Sequence, residues 1–99
     1  MGLREGLDVP DCLRERRPFG LGALRGLGGG YLGDRHRLPE QWEREYREAM
    51  SQGRVDYTVY SHATPIGWVL TGGTVVVPDV DYSNTTRAHQ RLVRGALCP

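Results

Sequence analysis

The stretch IGWVLTGGTVVVP, residues 66–78, decides the predicted fold because it is typical of a β-hairpin. Its two consecutive glycines lie between two runs of aliphatic and β-branched residues, and glycines permit the positive φ of a two-residue turn. Such a turn at Gly72 and Gly73 pairs Trp68 with Val77. One face, the predicted core face, then carries Trp68, Leu70, Val75 and Val77, and the other carries Val69, Val76, Thr71 and Thr74.

A third strand is predicted before this hairpin. Residues 54–61, RVDYTVYS, alternate apolar and polar side chains as a half-buried strand does. Together the three strands predict an antiparallel meander. Its second face, with Tyr60, Val69 and Val76, is expected to be open. We predict that these three residues form a partner surface, either for a homodimer or another protein, or for docking of the leucine-bearing N-terminal segment.

A helix is predicted over residues 39–53, PEQWEREYREAMSQG. Pro39 suits a first helical turn, where its missing N–H costs no hydrogen bond. Gly53 suits the left-handed stop after the last turn. A narrow apolar stripe follows helical spacing along Trp42, Tyr46, Ala49 and Met50.

A second helix is predicted from Thr85 to Leu97, with Ser83 or Asn84 as its N-cap. At 100° per residue its inner side carries Thr85, Ala88, His89, Leu92, Val93 and Ala96. Its outer side carries Arg87, Arg91 and Arg94. The arginines are typical either of a solvated face or of a nucleic-acid contact with about three phosphates.

These elements predict an α+β fold of the order α-β-β-β-α, a three-stranded antiparallel meander with both helices on one face. It occupies residues 39–99 as a single domain. Residues 1–38 hold nine of the fourteen glycines, so we predict a mostly disordered Gly/Arg-rich tail there. The run GGGYLG within it follows no predicted strand and opens no helix, so it does not indicate a phosphate-binding loop.

Composition excludes several broad classes. The formal net charge is +1, so no overall field attracts the chain to nucleic acid or membrane. No apolar run approaches the roughly 18 residues of a membrane span. No secretory segment is recognisable, which predicts a cytoplasmic protein with reduced thiols at Cys12 and Cys98. No Cys/His spacing indicates zinc, and we predict no metal or cofactor.

The candidate ligand-binding residues are four hydroxyl-bearing residues and one histidine. One hydroxyl-bearing residue precedes the second predicted strand, and three lie at the start of the C-terminal helix. The five residues are Thr64, Ser83, Thr85, Thr86 and His89. Each has a structural alternative. The three at the helix start are also typical capping residues. His89 is either a packed histidine with hydrogen-bonded ring nitrogens or an acid, base or ligand between helix and sheet. If the two polar groups meet in space, His89 belongs to the same site.

Two motifs resemble those of a small domain of unknown function in actinobacterial and actinophage proteins. Residues 60–68, YSHATPIGW, resemble its Tyr-Ser-x-x-Thr-Pro-Ile-x-Trp pattern, and residues 82–90, YSNTTRAHQ, resemble its Tyr-Ser-x-Thr-Thr-x-x-His-Gln pattern. The match covers roughly residues 55–97. The resemblance implies lineage and a compact fold, and it brings no established activity.

Three functional hypotheses follow. The first is a non-enzymatic binding or interaction module of phage or mobile-element ancestry. The second is a nucleic-acid-binding accessory protein that uses Arg87, Arg91 and Arg94. The third is a small enzyme with a Ser/Thr/His site, but no carboxylate pair or nucleophile elbow supports it. We therefore predict that the protein is not an enzyme.

Overall fold

The protein folds around one antiparallel sheet. The structure is a computed structural model that describes residues 9–80 and 84–97, except the side chains at 84 and 85. Within these residues five strands lie in chain order across the sheet: β1 Phe19–Leu21, β2 Leu24–Gly28, β3 Val55–Ser61, β4 Thr64–Leu70 and β5 Val75–Val76. Three helices accompany them: α1 Val9–Arg14, α2 Glu40–Ser51 and α3 Asn84–Leu97. The α+β class is confirmed.

The described part of the N-terminal segment is ordered, which corrects the predicted disordered tail and three-stranded sheet. β2 pairs with β3 from Leu24 opposite Ser61 to Gly28 opposite Tyr57, so the sheet crosses the boundary predicted after residue 38. The glycines permit this packing instead of preventing order. A Cβ on Gly26 would collide with the Tyr57 hydroxyl and with the Phe19 ring.

The β4–β5 hairpin differs from its predicted register by one residue. Val69 lies opposite Val75, and Trp68 lies opposite Val76 rather than Val77. The turn contains three residues because the N–H of Thr71 donates to the carbonyl of Arg54 on β3, at 2.8 Å, and Leu70 pairs with Thr74. A shift of one residue moves every side chain of β5 to the other face.

The shifted register sorts the core into two clusters, one on each face of the sheet. Trp68, Leu70 and Val76 pack with α2. Val69, Val75 and Val77 pack with α1 and α3. The prediction that both helices share one face is therefore wrong, since α2 and α3 cover opposite faces. This is why both sides of β3 are buried after Asp56.

The two long helices were predicted with different success. The apolar stripe of α2 packs on the sheet as predicted, and Gly53 has the left-handed φ of 67°. The inner face of α3 is rotated from the prediction. Ala88 is exposed and His89 is half-buried at the edge of that face. Val93 and Ala96 are buried as predicted, and the other buried residues of α3 are Thr86, Gln90 and Leu97.

Candidate functional site

The turn between β3 and β4 is built from two residues with unusual backbone conformations. His62 and Ala63 have φ of 51° and 68°, between the paired residues Ser61 and Thr64. Positive φ at both positions is the geometry that joins twisted antiparallel strands, but it is normally supplied by Asn and Gly. For residues other than glycine the Cβ atom makes this conformation costly by about 1–2 kcal/mol per residue. The turn is therefore strained next to the point where Ser61 contacts two of the candidate residues, Thr86 and His89.

Next to this turn lies a hydroxyl–imidazole cluster of Ser61, Thr86 and His89. Ser61 Oγ lies 2.7 Å from His89 Nδ1 and 3.1 Å from Thr86 Oγ1. When Nδ1 is unprotonated the Ser61 hydroxyl donates to it, and when Nδ1 carries a proton the ring donates to Ser61. The β3 hairpin end and the first turn of α3 thus meet in space.

Burial and a second imidazole set the protonation of this cluster. Partial burial lowers the pKa of His89 below its ordinary value of 6.5, and the nearby His62 lowers it further. The two imidazole rings lie 6.4 Å apart between centroids. The neutral form of His89 is favoured because burial and the Coulombic effect of His62 both disfavour a charged ring.

The remaining candidate residues do not join the cluster. Thr64 Oγ1 accepts a hydrogen bond from the backbone N–H of Arg37, at 2.8 Å, so Thr64 secures the segment before α2. Ser83 and the side chain of Thr85 lie outside the described residues. The residue that the binding candidates omitted is Ser61, which the Tyr-Ser pair of the first motif already singled out.

The partner-surface candidates are not an open face of the sheet. Val69 is buried in the cluster formed with α1 and α3, and Val76 is half-buried against α2. Tyr60 is also largely buried, but it lines an open groove. The predicted surface was wrong because it required the unshifted register and one uncovered face.

The tyrosine–arginine groove occupies the part of the α2 face that α2 leaves open. It encloses about 510 Å³ and is lined by Arg25, Leu27, Tyr31, Gly33, Asp34, Arg35, Tyr60 and Ala63. Tyr31 is 70% exposed and Leu27 is 38% exposed. The described ion pairs involve neither Arg25 nor Arg35. Apolar surface and two arginines without ion-pair partners among the described residues therefore share one concavity.

A buried tyrosine holds the wall of this groove in place. The N–H of Tyr31 donates to Tyr46 Oη at 3.0 Å, and Tyr46 Oη lies 2.8 Å from Thr58 Oγ1. The Thr58 hydroxyl in turn donates to the carbonyl of Gly29, at 2.9 Å. Burial raises the pKa of Tyr46 far above its ordinary value, so its hydroxyl stays protonated. The Tyr31 backbone is thus fixed while its ring faces solvent.

The arginines of α3 are exposed, as predicted, and they line a second concavity, the arginine cleft. It encloses about 180 Å³, and its lining consists of Asp79, Val80, Arg87, Gln90, Arg91 and Arg94. The sequence indicated the three arginines by their spacing. It did not indicate the opposite wall, which requires residues 77–80 to fold back against α3.

Two further searches of the described residues bear on binding. No group of three or more His, Cys, Asp or Glu side chains is placed to hold a metal ion. No helix among them combines the length and hydrophobicity needed to cross a membrane. These results concern only residues 9–80 and 84–97.

Comparisons with known proteins give no family for this chain. No protein-family model matches it, and neither the curated proteins nor the solved structures include a match. The resemblance to the actinobacterial and actinophage domain therefore stays a prediction from its two motifs.

Proposed function

We propose that this protein is a small non-enzymatic binding module whose ligand surface is the tyrosine–arginine groove. The observation that carries the proposal is the exposed side chain of Tyr31 in a concavity that Arg25 and Arg35 also line. Tyrosine and arginine are the residue types enriched where interfaces gain most of their affinity. A cytoplasmic location and a phage-related lineage belong to the same proposal.

The chemistry of the groove favours a peptide segment of a partner protein. Leu27 and the two tyrosines offer apolar surface, and the two guanidinium groups outnumber the single carboxylate of Asp34. An apolar side chain flanked by acidic residues satisfies both features. Arg pairs with a carboxylate in a two-pronged geometry, which adds specificity to charge.

The hydroxyl–imidazole cluster supports the non-enzymatic part of the proposal. Ser61 is 1% exposed and its Oγ already contacts Thr86 and His89. A nucleophile must reach the substrate carbon, and this oxygen is enclosed. We propose that the cluster joins the β3–β4 turn to α3 and positions the two elements. The enzyme hypothesis would require this region to open.

A titration with defined peptides tests the proposal. The probes are a blocked peptide in which Leu alternates with Glu, and its counterpart with Lys in place of Glu. We expect the acidic peptide alone to shift the amide resonances of Arg25, Tyr31 and Arg35 in NMR spectra of the full chain. Tyr31→Ala is expected to weaken binding about tenfold, as for an interface anchor.

Leu21→Ala is the matched control, because Leu21 is also a large exposed hydrophobic residue but lies on β1 outside the groove. It should leave the affinity unchanged. Shifts that map elsewhere, or equal effects of the two substitutions, would contradict the proposal. So would single-stranded oligonucleotides that shift the groove resonances when the acidic peptide does not.

A further inference from the structure

We infer that the arginine cleft on α3 is a binding site for a phosphate group. The cleft is separate from the tyrosine–arginine groove, because α3 and α2 cover opposite faces of the sheet. The inference therefore does not depend on the proposed peptide ligand.

The first support is the charge of the lining. Among the described lining residues three are arginines, Arg87, Arg91 and Arg94, and one carries a carboxylate, Asp79. Among the described ion pairs none involves these three arginines. Three arginines that line one concavity raise the local positive potential, which favours an anion there.

The second support is that the wall of the cleft is fixed. The side-chain amide of Gln90 donates to the carbonyls of Pro78 and Val80, at 3.3 and 3.2 Å. Gln90 is buried between α3 and this loop. The loop is thus tied to the helix that carries the arginines, and the concavity exists before any ligand arrives.

The third support is the size and geometry of the site. A volume of about 180 Å³ is below the roughly 300–1,000 Å³ of pockets for drug-sized ligands, so the site suits a small group. A phosphate offers several oxygens in a tetrahedral arrangement, enough for more than one guanidinium fork. A carboxylate is planar and pairs best with one. The lining therefore favours phosphate over carboxylate.

The test uses the full chain and pyrophosphate as the probe, with ionic strength held constant by sodium chloride. We expect saturable shifts of the side-chain N–H resonances of Arg87, Arg91, Arg94 and Gln90. Arg91→Gln should weaken binding about tenfold or more, as for a lost charged hydrogen bond. Asp79→Asn should tighten binding, since it removes a negative charge from the described lining.

Arg44→Gln is the control, because Arg44 is an exposed arginine on α2, outside the cleft. No saturable shift at millimolar pyrophosphate would overturn the inference, as would equal effects of Arg44→Gln and Arg91→Gln. A second titration distinguishes the source of the phosphate. An oligonucleotide whose binding depends on Arg91 indicates a nucleic-acid backbone. Binding of pyrophosphate alone indicates a small phosphorylated molecule.

Discussion

His89 shows how a single polar residue joins two elements that are distant in the sequence. Its Nδ1 lies 2.7 Å from Ser61 Oγ, which links the first turns of α3 to the end of β3. The sequence left His89 as either a packed residue or a reactive one. The geometry fits the packed alternative, because its partner Ser61 is buried and its hydroxyl is hydrogen-bonded to both Thr86 and His89.

Removal of this imidazole is expected to change both stability and its dependence on pH. At pH 8, His89→Ala should lower the free energy of unfolding by about 1–3 kcal/mol, since the buried Ser61 hydroxyl loses a partner. In the unaltered protein the lowered pKa of His89 means that the unfolded chain binds more protons in acid. Stability should therefore be full above pH 6.5 and fall as the pH drops through the interval below it.

Chemical denaturation between pH 8 and pH 5 measures both effects. His89→Ala should remove this part of the pH dependence. His62→Asn is the control, because asparagine tolerates positive φ but lacks the second imidazole. The loss of stability in acid should therefore become smaller but not disappear. A pH profile that is the same with and without His89 would contradict the assignment.

At the scale of elements, the sequence predicted the positions of the two long helices better than the register of the strands. A helix can be predicted from the spacing of residues within its own segment. In α2 this spacing is shown by Trp42, Tyr46, Ala49 and Met50. The β4–β5 register depends instead on a hydrogen bond from Thr71 to Arg54 on a third strand. That bond adds Thr71 to the turn and shifts the pairing by one residue. The glycine pair indicated where the chain turns but not how many residues the turn contains.

The contact between β4 and α3 allows a sharp test of the observed faces. A Cβ on Gly67 would lie 2.8 Å from Val93 Cγ1, whereas a Cβ on Gly95 of α3 would meet nothing within 4 Å. Gly67→Ala is therefore expected to destabilise the protein by about 1–3 kcal/mol through overpacking. Gly95→Ala should stabilise it by up to about 1 kcal/mol, since alanine favours helix.

Thermal or urea unfolding of these two alanine variants checks the prediction. Both substitutions add one methyl group, but only the methyl group at position 67 would collide with a neighbouring side chain, that of Val93. If Gly67→Ala were neutral, α3 would not lie on this face of β4.

At the scale of the whole molecule, the largest departure from the sequence prediction is the order of the N-terminal segment. Glycine-rich composition indicates a high entropic cost of ordering, and that cost led to the prediction of a tail. The cost is offset because Val9, Leu13, Phe19 and Leu24 are buried in the cluster with α3 and β3. Val9 and Leu13 lie on α1, Phe19 lies on β1 and Leu24 lies on β2, so no single period indicated all four residues.

This docking also explains how so short a chain covers both faces of a sheet. A domain of about 60 residues buries only about 60% of the surface that its unfolded chain exposes, so the apolar side chains of the N-terminal segment add needed burial. The radius of gyration is 13.0 Å, the value expected of a compact chain of about 100 residues. A folded unit confined to residues 39–99 would leave the α3 face of β3 and β4 without α1.

Two leucines of the N-terminal segment test whether this part of the chain is integral to the fold. Leu13 on α1 is 0% exposed, and Leu21 on β1 is 58% exposed. Leu13→Ala is expected to cost about 2–5 kcal/mol, as for a buried leucine whose cavity only partly closes. Leu21→Ala should change stability by less than about 0.5 kcal/mol.

Urea unfolding followed by tryptophan fluorescence compares the two variants, because Trp42 and Trp68 report from the opposite face of the sheet. A loss of stability at Leu13 that the distant tryptophans register means that both faces unfold together. If both substitutions were neutral, the segment would be a tail after all, and the five-stranded sheet would lose its first two strands.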